Sequence, residues 1–256
     1  MNTYPAYIFD LDGTVYLGDA LLPTAGETIT RLRASGARTV FLSNNPTHSR
    51  ADYAAKLTGL GLPTPETDII HSSLVLCHIL QARMPGARLF VIGEAPLCDE
   101  LRRAGFSLCA DASAQAVIAS FDRTFDYRKL QIGFDALRAG ARFFATNADR
   151  FCPVPGGGQP DAAAIIAALE ACSGRQVELI AGKPSAHMSA AILDLLGLPP
   201  EACLMIGDRL ETDIRMGLEA GMHTALTLSG ATPSEAVAGS PYRPTYVIRQ
   251  LADLLA

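Results

Sequence analysis

Two aspartates two positions apart, Asp10 and Asp12, are the first residues of the chain whose types and spacing could do chemistry. They directly follow the apolar run Tyr7–Phe9, and Gly13 lets the backbone turn after them. Neighbouring carboxylates repel each other unless a cation or a proton offsets their charge. One of the pair could therefore act as a nucleophile and the other as a general acid or base, unless the segment is only a turn.

A second group of polar residues follows another apolar run. Ser43 and Asn44 come directly after Thr39–Leu42 and offer a hydroxyl and an amide that could bind phosphate oxygens. Residues in this segment could equally cap the start of a helix. Further along, Lys183 lies between a glycine and a proline. It is either solvated surface or a point cation that suits a phosphoryl group in transfer.

Acidic residues also follow a later apolar run, Cys203–Ile206. Asp208 comes directly after Gly207, and Asp213 lies five positions further on. Because the carboxyl ends of parallel strands meet at one edge of a sheet, Asp208 should meet the first two aspartates there. Three oxygen donors at that edge fit Mg²⁺, which binds few protein carboxylates and completes its octahedron with water and phosphate oxygens.

An α/β fold is needed to bring these residues together. Short apolar runs alternate with amphipathic helical segments along the whole chain, which predicts a parallel sheet with helices. The predicted strands are Tyr7–Phe9, Thr39–Leu42, Leu89–Ile92, Ala116–Ala119, Phe143–Ala145, Cys203–Ile206 and Thr224–Thr227. Most are unbroken apolar runs, as expected of strands buried on both faces.

Length and composition indicate a folded globular chain. Its 256 residues allow one large or two modest domains. A hydrophobic fraction of 49% with 18% charged residues argues against disorder and against a coiled coil. The net charge is −5 and no basic run is present, so a nucleic-acid polymer is a poor candidate partner.

The same sequence argues against a membrane or secreted location. The longest charge-free hydrophobic stretch, Ile69–Ala82, is too short to span a bilayer and contains polar residues. The first residues have no basic region typical of a secretory signal. Six cysteines without a CxxC pair are expected to be reduced thiols rather than zinc ligands or disulfides. We therefore expect a cytoplasmic protein without a membrane partner.

Together, the four motifs resemble those of the haloacid dehalogenase (HAD) superfamily over nearly the whole chain. The matching segments are DLDGT at Asp10–Thr14, the strand end at Ser43, Lys183 in GKP, and GDRLETD at Gly207–Asp213. The longer segments DLDGTVYLGD, LSNNPTHS, AGKPS and IGDRLETDI resemble subclass IIA, the NagD-like and p-nitrophenyl-phosphatase-like branch. This resemblance implies a Rossmann-like parallel sheet core with an α/β cap domain inserted after the second motif. We expect a discontinuous core of residues 1–79 and 181–256 and a cap of residues 80–180.

The resemblance implies a magnesium-dependent phosphatase that acts on a small-molecule phosphate monoester, such as a sugar phosphate, a nucleoside monophosphate or phosphoglycolate. By similarity, Asp10 attacks phosphorus to form an aspartyl-phosphate, while Asp12 protonates the leaving alcohol and later activates water. Magnesium would be bound by the Asp10 carboxylate, the main-chain carbonyl of Asp12 and Asp208, with Asp213 orienting its water ligands from the second shell.

The other family roles fall on three residues. Ser43 and Lys183 would bind the phosphoryl oxygens, and Asn44 would help to position the group. An acid at position 12 argues against a dehalogenase, which needs none there. A phosphomutase, and a phospho-ligand-binding protein without turnover, stay open as alternatives. Caps of this branch commonly dimerise, so a homodimer through the cap is an expected assembly.

A glycine-rich segment, Pro153–Asp161, precedes the predicted cap helix Ala162–Cys172. Its spacing matches neither common phosphate-binding glycine motif, so we expect a flexible turn rather than a nucleotide site. Asp161 is either the N-cap of the helix or a contact to a substrate hydroxyl or amine.

Overall fold

The computed structural model describes residues 2–154 and 157–256 of the chain. The strands are β1 (Ala6–Asp10), β2 (Tyr16–Leu17), β3 (Ala20–Leu21), β4 (Arg38–Ser43), β5 (Ile69–His71), β6 (Arg88–Ile92), β7 (Ser107–Leu108), β8 (Ala116–Ala119), β9 (Arg142–Ala145), β10 (Phe151–Val154), β11 (Gly157–Pro160), β12 (Leu179–Ile180), β13 (Cys203–Gly207), β14 (His223–Thr227) and β15 (Tyr246–Ile248). The α-helices are α1 (Ala25–Ala34), α2 (Arg50–Gly59), α3 (Ser72–Arg83), α4 (Ala95–Arg103), α5 (Tyr127–Arg138), α6 (Ala162–Ser173), α7 (Ala186–Leu196), α8 (Arg215–Glu219) and α9 (Ser234–Gly239). Shorter helical segments are Glu66–Asp68, Pro200–Ala202, Leu210–Ile214 and Leu251–Leu255.

The described chain divides into two compact units. The first comprises residues 2–43, Arg50–Ile70 and Lys183–Ala256. The second comprises Asn44–Ser49 and His71–Gly182, apart from residues 155 and 156. Each unit has its own sheet and its own hydrophobic core. The sequence-based division into a core and a cap, with its boundaries near residues 80 and 180, stays a prediction.

The first unit is built on a six-stranded sheet with the order β15-β14-β13-β1-β4-β5. Strand β1 lies in its interior and pairs in parallel with β13 on one side and β4 on the other. All five residues of β1 are buried, as expected for a strand with both faces covered. The rings of Phe9 and Phe41 stack at 5.9 Å on neighbouring strands. The predicted α/β fold with a parallel sheet is confirmed.

The second unit has a five-stranded sheet with the order β12-β9-β8-β6-β7, in which neighbouring strands pair in parallel. Its core includes Phe90, Val117 and Phe143 from three of these strands and Leu169 from α6. The predicted strands Leu89–Ile92, Ala116–Ala119 and Phe143–Ala145 all lie in this sheet. Helix α6 spans the segment predicted as helix from Ala162 to Cys172 and extends one residue further.

The glycine-rich segment differs from the turn predicted for it. Strands β10 and β11 pair antiparallel, with Cys152 opposite Gln159. A Cβ at Gly158 would lie 2.7 Å from the ring of Phe151, so the missing side chain leaves room for that ring on the strand. Pro155 and Gly156 of the predicted turn lie outside the described residues. Among the described residues, no helix is long and apolar enough to cross a membrane.

Candidate active site

The position of Asp10 follows from the register of the central strands. Asp10 is the last residue of β1 and pairs with Leu42 of β4, so Ser43 is the next residue along the neighbouring strand. On the other side Phe9 pairs with Ile206, which brings Gly207 beside Asp10 and Asp208 directly after it. Three predicted site residues therefore come from the carboxyl ends of three adjacent parallel strands.

Three carboxylates gather at this edge. Asp10, Asp208 and Asp213 are 7%, 3% and 0% exposed, and one oxygen from each lies within 4.8 Å of the others. Asp213 follows β13 in the helical segment Leu210–Ile214 and folds back over Gly207. A Cβ at Gly207 would lie 2.3 Å from the Asp213 side chain, so a larger residue could not stand there without displacing this carboxylate.

Lys183 supplies a buried cation to the same cluster. Its side chain is 4% exposed, and its ammonium donates to Oδ1 of Asp10 and, at 2.7 Å, to Oδ1 of Asp213. Burial alone would lower the pKa of Lys183, but these two carboxylates raise it above its usual value. The lysine is therefore fully charged, and the alternative of a solvated surface lysine is wrong.

The electrostatics of the cluster favour a further cation. Burial, followed by the charges of Asp213 and Asp208, raises the pKa of Asp10 well above its usual range, although Lys183 opposes that shift. Burial also raises the pKa of Asp208 to about 6, and Asp213 adds to that shift. Three carboxylates with one ammonium carry a net negative charge in a water-poor site. A divalent cation would balance that charge, and these carboxylate oxygens are the donors that Mg²⁺ prefers.

Asp12 has a different environment from Asp10. It is half-buried, and the Tyr16 hydroxyl donates to its Oδ2 at a long 3.4 Å. The turn that carries it is closed by hydrogen bonds from the Gly13 N–H to the Tyr16 carbonyl at 2.8 Å and from the Val15 N–H to the Leu11 carbonyl at 2.9 Å. The segment is thus a turn, which was one of the two alternatives from the sequence, and it places Asp12 two residues after the end of β1.

Ser43 ends β4 and is buried, with its hydroxyl donating to the Tyr53 hydroxyl at 2.9 Å. Helix α2 begins seven residues later, at Arg50, so Ser43 does not cap it.

Both oxygens of Asp213 already accept hydrogen bonds, Oδ1 from Lys183 and Oδ2 from the Arg209 N–H at 3.1 Å. That geometry suits a residue that orients its neighbours.

The remaining predicted residues, Asn44 and Asp161, lie in the second unit. The amide of Asn44 donates to Asp149 Oδ2 at 2.9 Å, and Asn147 donates to the same oxygen at 3.0 Å. Asp161 is the N-cap of α6, where Oδ1 accepts from the Ala162 N–H at 2.5 Å and from Asn147 at 3.0 Å. Asp161 is only 3% exposed. Its contact with substrate stays a prediction, as does the positioning role of Asn44.

Two groups of residues that contact the predicted site residues were not predicted from the sequence. Asn147 and Asp149 follow the buried strand β9 in the same pattern as Ser43 and Asn44 after β4, so the sequence does carry a signal for them. The second group is the segment Ser229–Ala231 after β14, where the Ala231 N–H donates to Asp208 Oδ2 at 2.6 Å. A main-chain donor leaves no mark in the side-chain pattern.

The chain matches two family models in the parts that carry this site. Residues 7–107 match the model described as haloacid dehalogenase-like hydrolase, and residues 180–254 match the model described as HAD-hydrolase-like. Every residue of the buried cluster lies inside one of these two ranges.

Similarity to individual proteins covers almost the whole chain. A sugar-phosphatase of Bacillus subtilis, AraL, is 39% identical over 96% of this chain and 90% of its own length. The structure of a 4-nitrophenylphosphatase from Thermotoga maritima is 34% identical and superposes with a TM-score of 0.94, covering 98% of this chain and 96% of that one. A glycerol phosphate phosphatase from Mycobacterium tuberculosis, solved in complex with calcium, is 29% identical with a TM-score of 0.89 over 98% of this chain and 74% of its own.

Proposed function

The chain belongs to the haloacid dehalogenase-like hydrolases and is a phosphatase of that type, and from this we propose that it hydrolyses small phosphate monoesters with Mg²⁺ through an aspartyl-phosphate on Asp10. The observation that carries the proposal is the buried cluster of Asp10, Asp208, Asp213 and Lys183 at the carboxyl ends of the central strands. Asp10 can act as the nucleophile there, while the carboxylates of Asp208 and Asp213 balance the positive charges of Lys183 and the metal ion.

The first half of the reaction joins phosphorus to Asp10. A carboxylate oxygen of Asp10 attacks phosphorus as the bond to the leaving oxygen breaks, and Asp12 gives that oxygen a proton. In the second half, Asp12 takes a proton from water, the water oxygen attacks phosphorus, and the bond to Asp10 breaks. The different environments of the two carboxylates support this division, because Asp10 is buried against Lys183 and Asp12 is half-exposed.

The cation would be held by the carboxylates of Asp10 and Asp208 together with the main-chain carbonyl of Asp12. When bound, Mg²⁺ supplies positive charge that lowers the repulsion between the nucleophile and the phosphate ester. Lys183 binds a phosphoryl oxygen with its ammonium and Ser43 binds another with its hydroxyl. Asp213 fixes the position of Lys183 through their 2.7 Å contact.

The experiment that tests this function measures inorganic phosphate released from p-nitrophenyl phosphate, with Mg²⁺ and after treatment with EDTA. We expect steady release with Mg²⁺, its loss in EDTA and its return when Mg²⁺ is added back. Sugar phosphates and glycerol phosphate open the substrate panel, because relatives are named for them. Failure to release phosphate from any ester would contradict the proposal, and a product that keeps its phosphate would favour a phosphomutase.

A second prediction concerns the acid role of Asp12. Asp12→Asn should lower kcat for glycerol phosphate by about 10²- to 10⁴-fold, because an alkoxide leaves poorly without a proton. With p-nitrophenyl phosphate, the rate of p-nitrophenolate formation in the first turnover should fall much less, because this leaving group needs no protonation. Rapid-quench measurement of the first turnover with both esters checks this difference. Equal losses for the two leaving groups would rule out the acid role.

The other expectations from the sequence belong to the same proposal. They are a cytoplasmic location, no nucleic-acid partner and a homodimer through the cap. The net charge of −5 supports the second expectation, because surfaces that bind nucleic-acid polymers are typically basic.

A further inference from the structure

The carboxylate of Asp208 lies in a slot between two glycines of the first unit. A Cβ at Gly13 would lie 2.6 Å from Asp208 Oδ2, and a Cβ at Gly230 would lie 2.1 Å from the same atom. Real Cβ atoms do not approach other atoms so closely, so any side chain at position 230 displaces the carboxylate. The backbone of Gly230 is not in the left-handed region, which means that this position needs the space rather than the conformation of glycine.

The segment around Gly230 also bonds to Asp208 directly. The Ala231 N–H donates to Asp208 Oδ2 at 2.6 Å, and the Thr232 N–H donates to the main-chain carbonyl of Asp208 at 3.2 Å. A hydrogen bond from a main-chain N–H to a carboxylate is among the stronger ones in proteins. Because Oδ2 is held from this side, the direction of the second oxygen, Oδ1, is fixed as well.

The segment is itself anchored to the loop that carries the first two aspartates. The Ser229 hydroxyl donates to the Gly13 carbonyl at 2.9 Å and shares a 2.8 Å hydrogen bond with the hydroxyl of Thr227, the last residue of β14. Strand β14 pairs with β13, with Gly207 opposite Leu226, so the two loops leave the sheet side by side. The end of a fourth strand thereby links the Asp208 loop to the Asp12–Gly13 turn.

We propose that Ser229–Ala231 is a positioning loop for Asp208, and that it sets the affinity of the site for its divalent cation. The inference rests on the proposed role of Asp208 as a metal ligand. In this role Gly230 provides the space, Ala231 provides the N–H that holds Oδ2, and Ser229 ties both to the turn after Asp12. In this role all three residues act through Asp208 rather than on the substrate itself.

The test measures the binding of Mn²⁺ to metal-free enzyme, with the EPR signal of the free ion as the readout. Mn²⁺ favours the same oxygen ligands as Mg²⁺. We expect Gly230→Ala to weaken Mn²⁺ binding by about 10- to 100-fold, the usual effect of disturbing a group that orients a metal ligand. Gly239→Ala is the matched control, because a Cβ at this exposed glycine of α9 meets nothing within 4 Å. It should bind Mn²⁺ as the wild type does.

A second pair of variants distinguishes a loss of metal affinity from a loss of folding stability. Ser229→Ala should weaken Mn²⁺ binding without lowering the melting temperature measured in EDTA, and Ser229→Thr, which keeps the hydroxyl, should restore much of the binding. The Mg²⁺ concentration for half-maximal activity should rise in parallel, while KM at saturating Mg²⁺ changes little. A purely structural role would lower the melting temperature and leave the metal affinity unchanged.

Asp208→Asn separates the failure of this inference from the failure of the proposed function. If the wild type binds Mn²⁺, Asp208→Asn loses it, and Gly230→Ala and Ser229→Ala bind normally, the positioning role is wrong and the metal site stands. If Asp208→Asn binds as the wild type does, Asp208 is not a ligand and both assignments fall.

Discussion

Asp10→Asn should reduce phosphate release from p-nitrophenyl phosphate by about 10⁴- to 10⁶-fold, the size of effect seen when a covalent nucleophile is removed from an enzyme. An amide oxygen at the same place cannot form the aspartyl-phosphate, and no other described carboxylate shares the position of Asp10 at the end of β1 against Lys183. The measurement is kcat with saturating Mg²⁺.

The fold should survive this substitution. Burial raises the pKa of Asp10, which means that its charged form is costly in the folded state, and a neutral amide of the same shape avoids that cost. Lys183 keeps its 2.7 Å contact with Asp213, so its buried ammonium is not left without a carboxylate. The variant should therefore melt no lower than the wild type at neutral pH. Asp19→Asn is the matched control, because the Asp19 side chain is fully exposed and its ion pair with Lys56 is long, at 3.9 Å. This variant should keep full activity. Activity within tenfold of the wild type in Asp10→Asn would contradict the nucleophile assignment.

Lys183→Met should cost both activity and stability. The ammonium contacts Asp10 and Asp213, and its removal leaves three buried carboxylates together without a cation. Breaking a buried ion pair on one side typically costs about 3–5 kcal/mol of unfolding free energy. We expect a loss of that size at pH 8 in EDTA, measured by urea denaturation, and phosphatase activity lowered by about 10²-fold or more because a phosphoryl oxygen loses its charged donor.

The stability deficit should shrink as the pH falls. Burial already raises the pKa of Asp208 to about 6 and that of Asp10 well above its usual range, and Lys183 opposes both shifts. Without the lysine both pKa values rise further, so the folded variant takes up protons at a higher pH than the unfolded chain. Stability then increases on going from pH 8 to pH 5.

Lys56→Met provides the matched control for this series. Lys56 is partly exposed, pairs with Asp19 at 3.9 Å and lies over the Tyr16 ring at 4.0 Å. Its loss should cost only about 1 kcal/mol. A Lys183→Met enzyme with wild-type stability at pH 8, or with the same deficit at pH 5, would show that the lysine does not offset the charge of the cluster.

The edge of the sheet that carries the buried carboxylate cluster could be predicted from the sequence because its signal is local. Unbroken apolar runs identified the buried strands, and Asp10, Ser43 and Asp208 follow three of them at the end where parallel α/β sheets bind ligands. The prediction needed only the order of polar residues after apolar ones. Lys183 carried no such signal, and its assignment came from the resemblance to a family.

Other parts of the fold depend on interactions that the sequence pattern does not record. Ser229–Ala231 acts through a main-chain N–H and the absence of a Cβ, both of which become evident only when Asp208 is placed beside them. The sequence predicts a turn over most of β10 and β11, because a glycine-rich segment has little strand propensity. In the structure, antiparallel pairing of Gly157–Pro160 with Phe151–Val154 outweighs that low propensity. The two-residue strand β7 is too short to show any periodicity.

The most direct test of Asp10 as the nucleophile is to trap the phosphoryl group on its side chain. Asp12→Asn enzyme, in which activation of water should be slow, is mixed with p-nitrophenyl phosphate and Mg²⁺, quenched and treated with borohydride. Borohydride reduces an acyl phosphate to an alcohol, so a phosphorylated Asp10 is converted to homoserine, which peptide mass spectrometry detects. We expect this conversion at position 10 with Mg²⁺ and none in EDTA. Phosphate release without any modification of Asp10 would contradict this role.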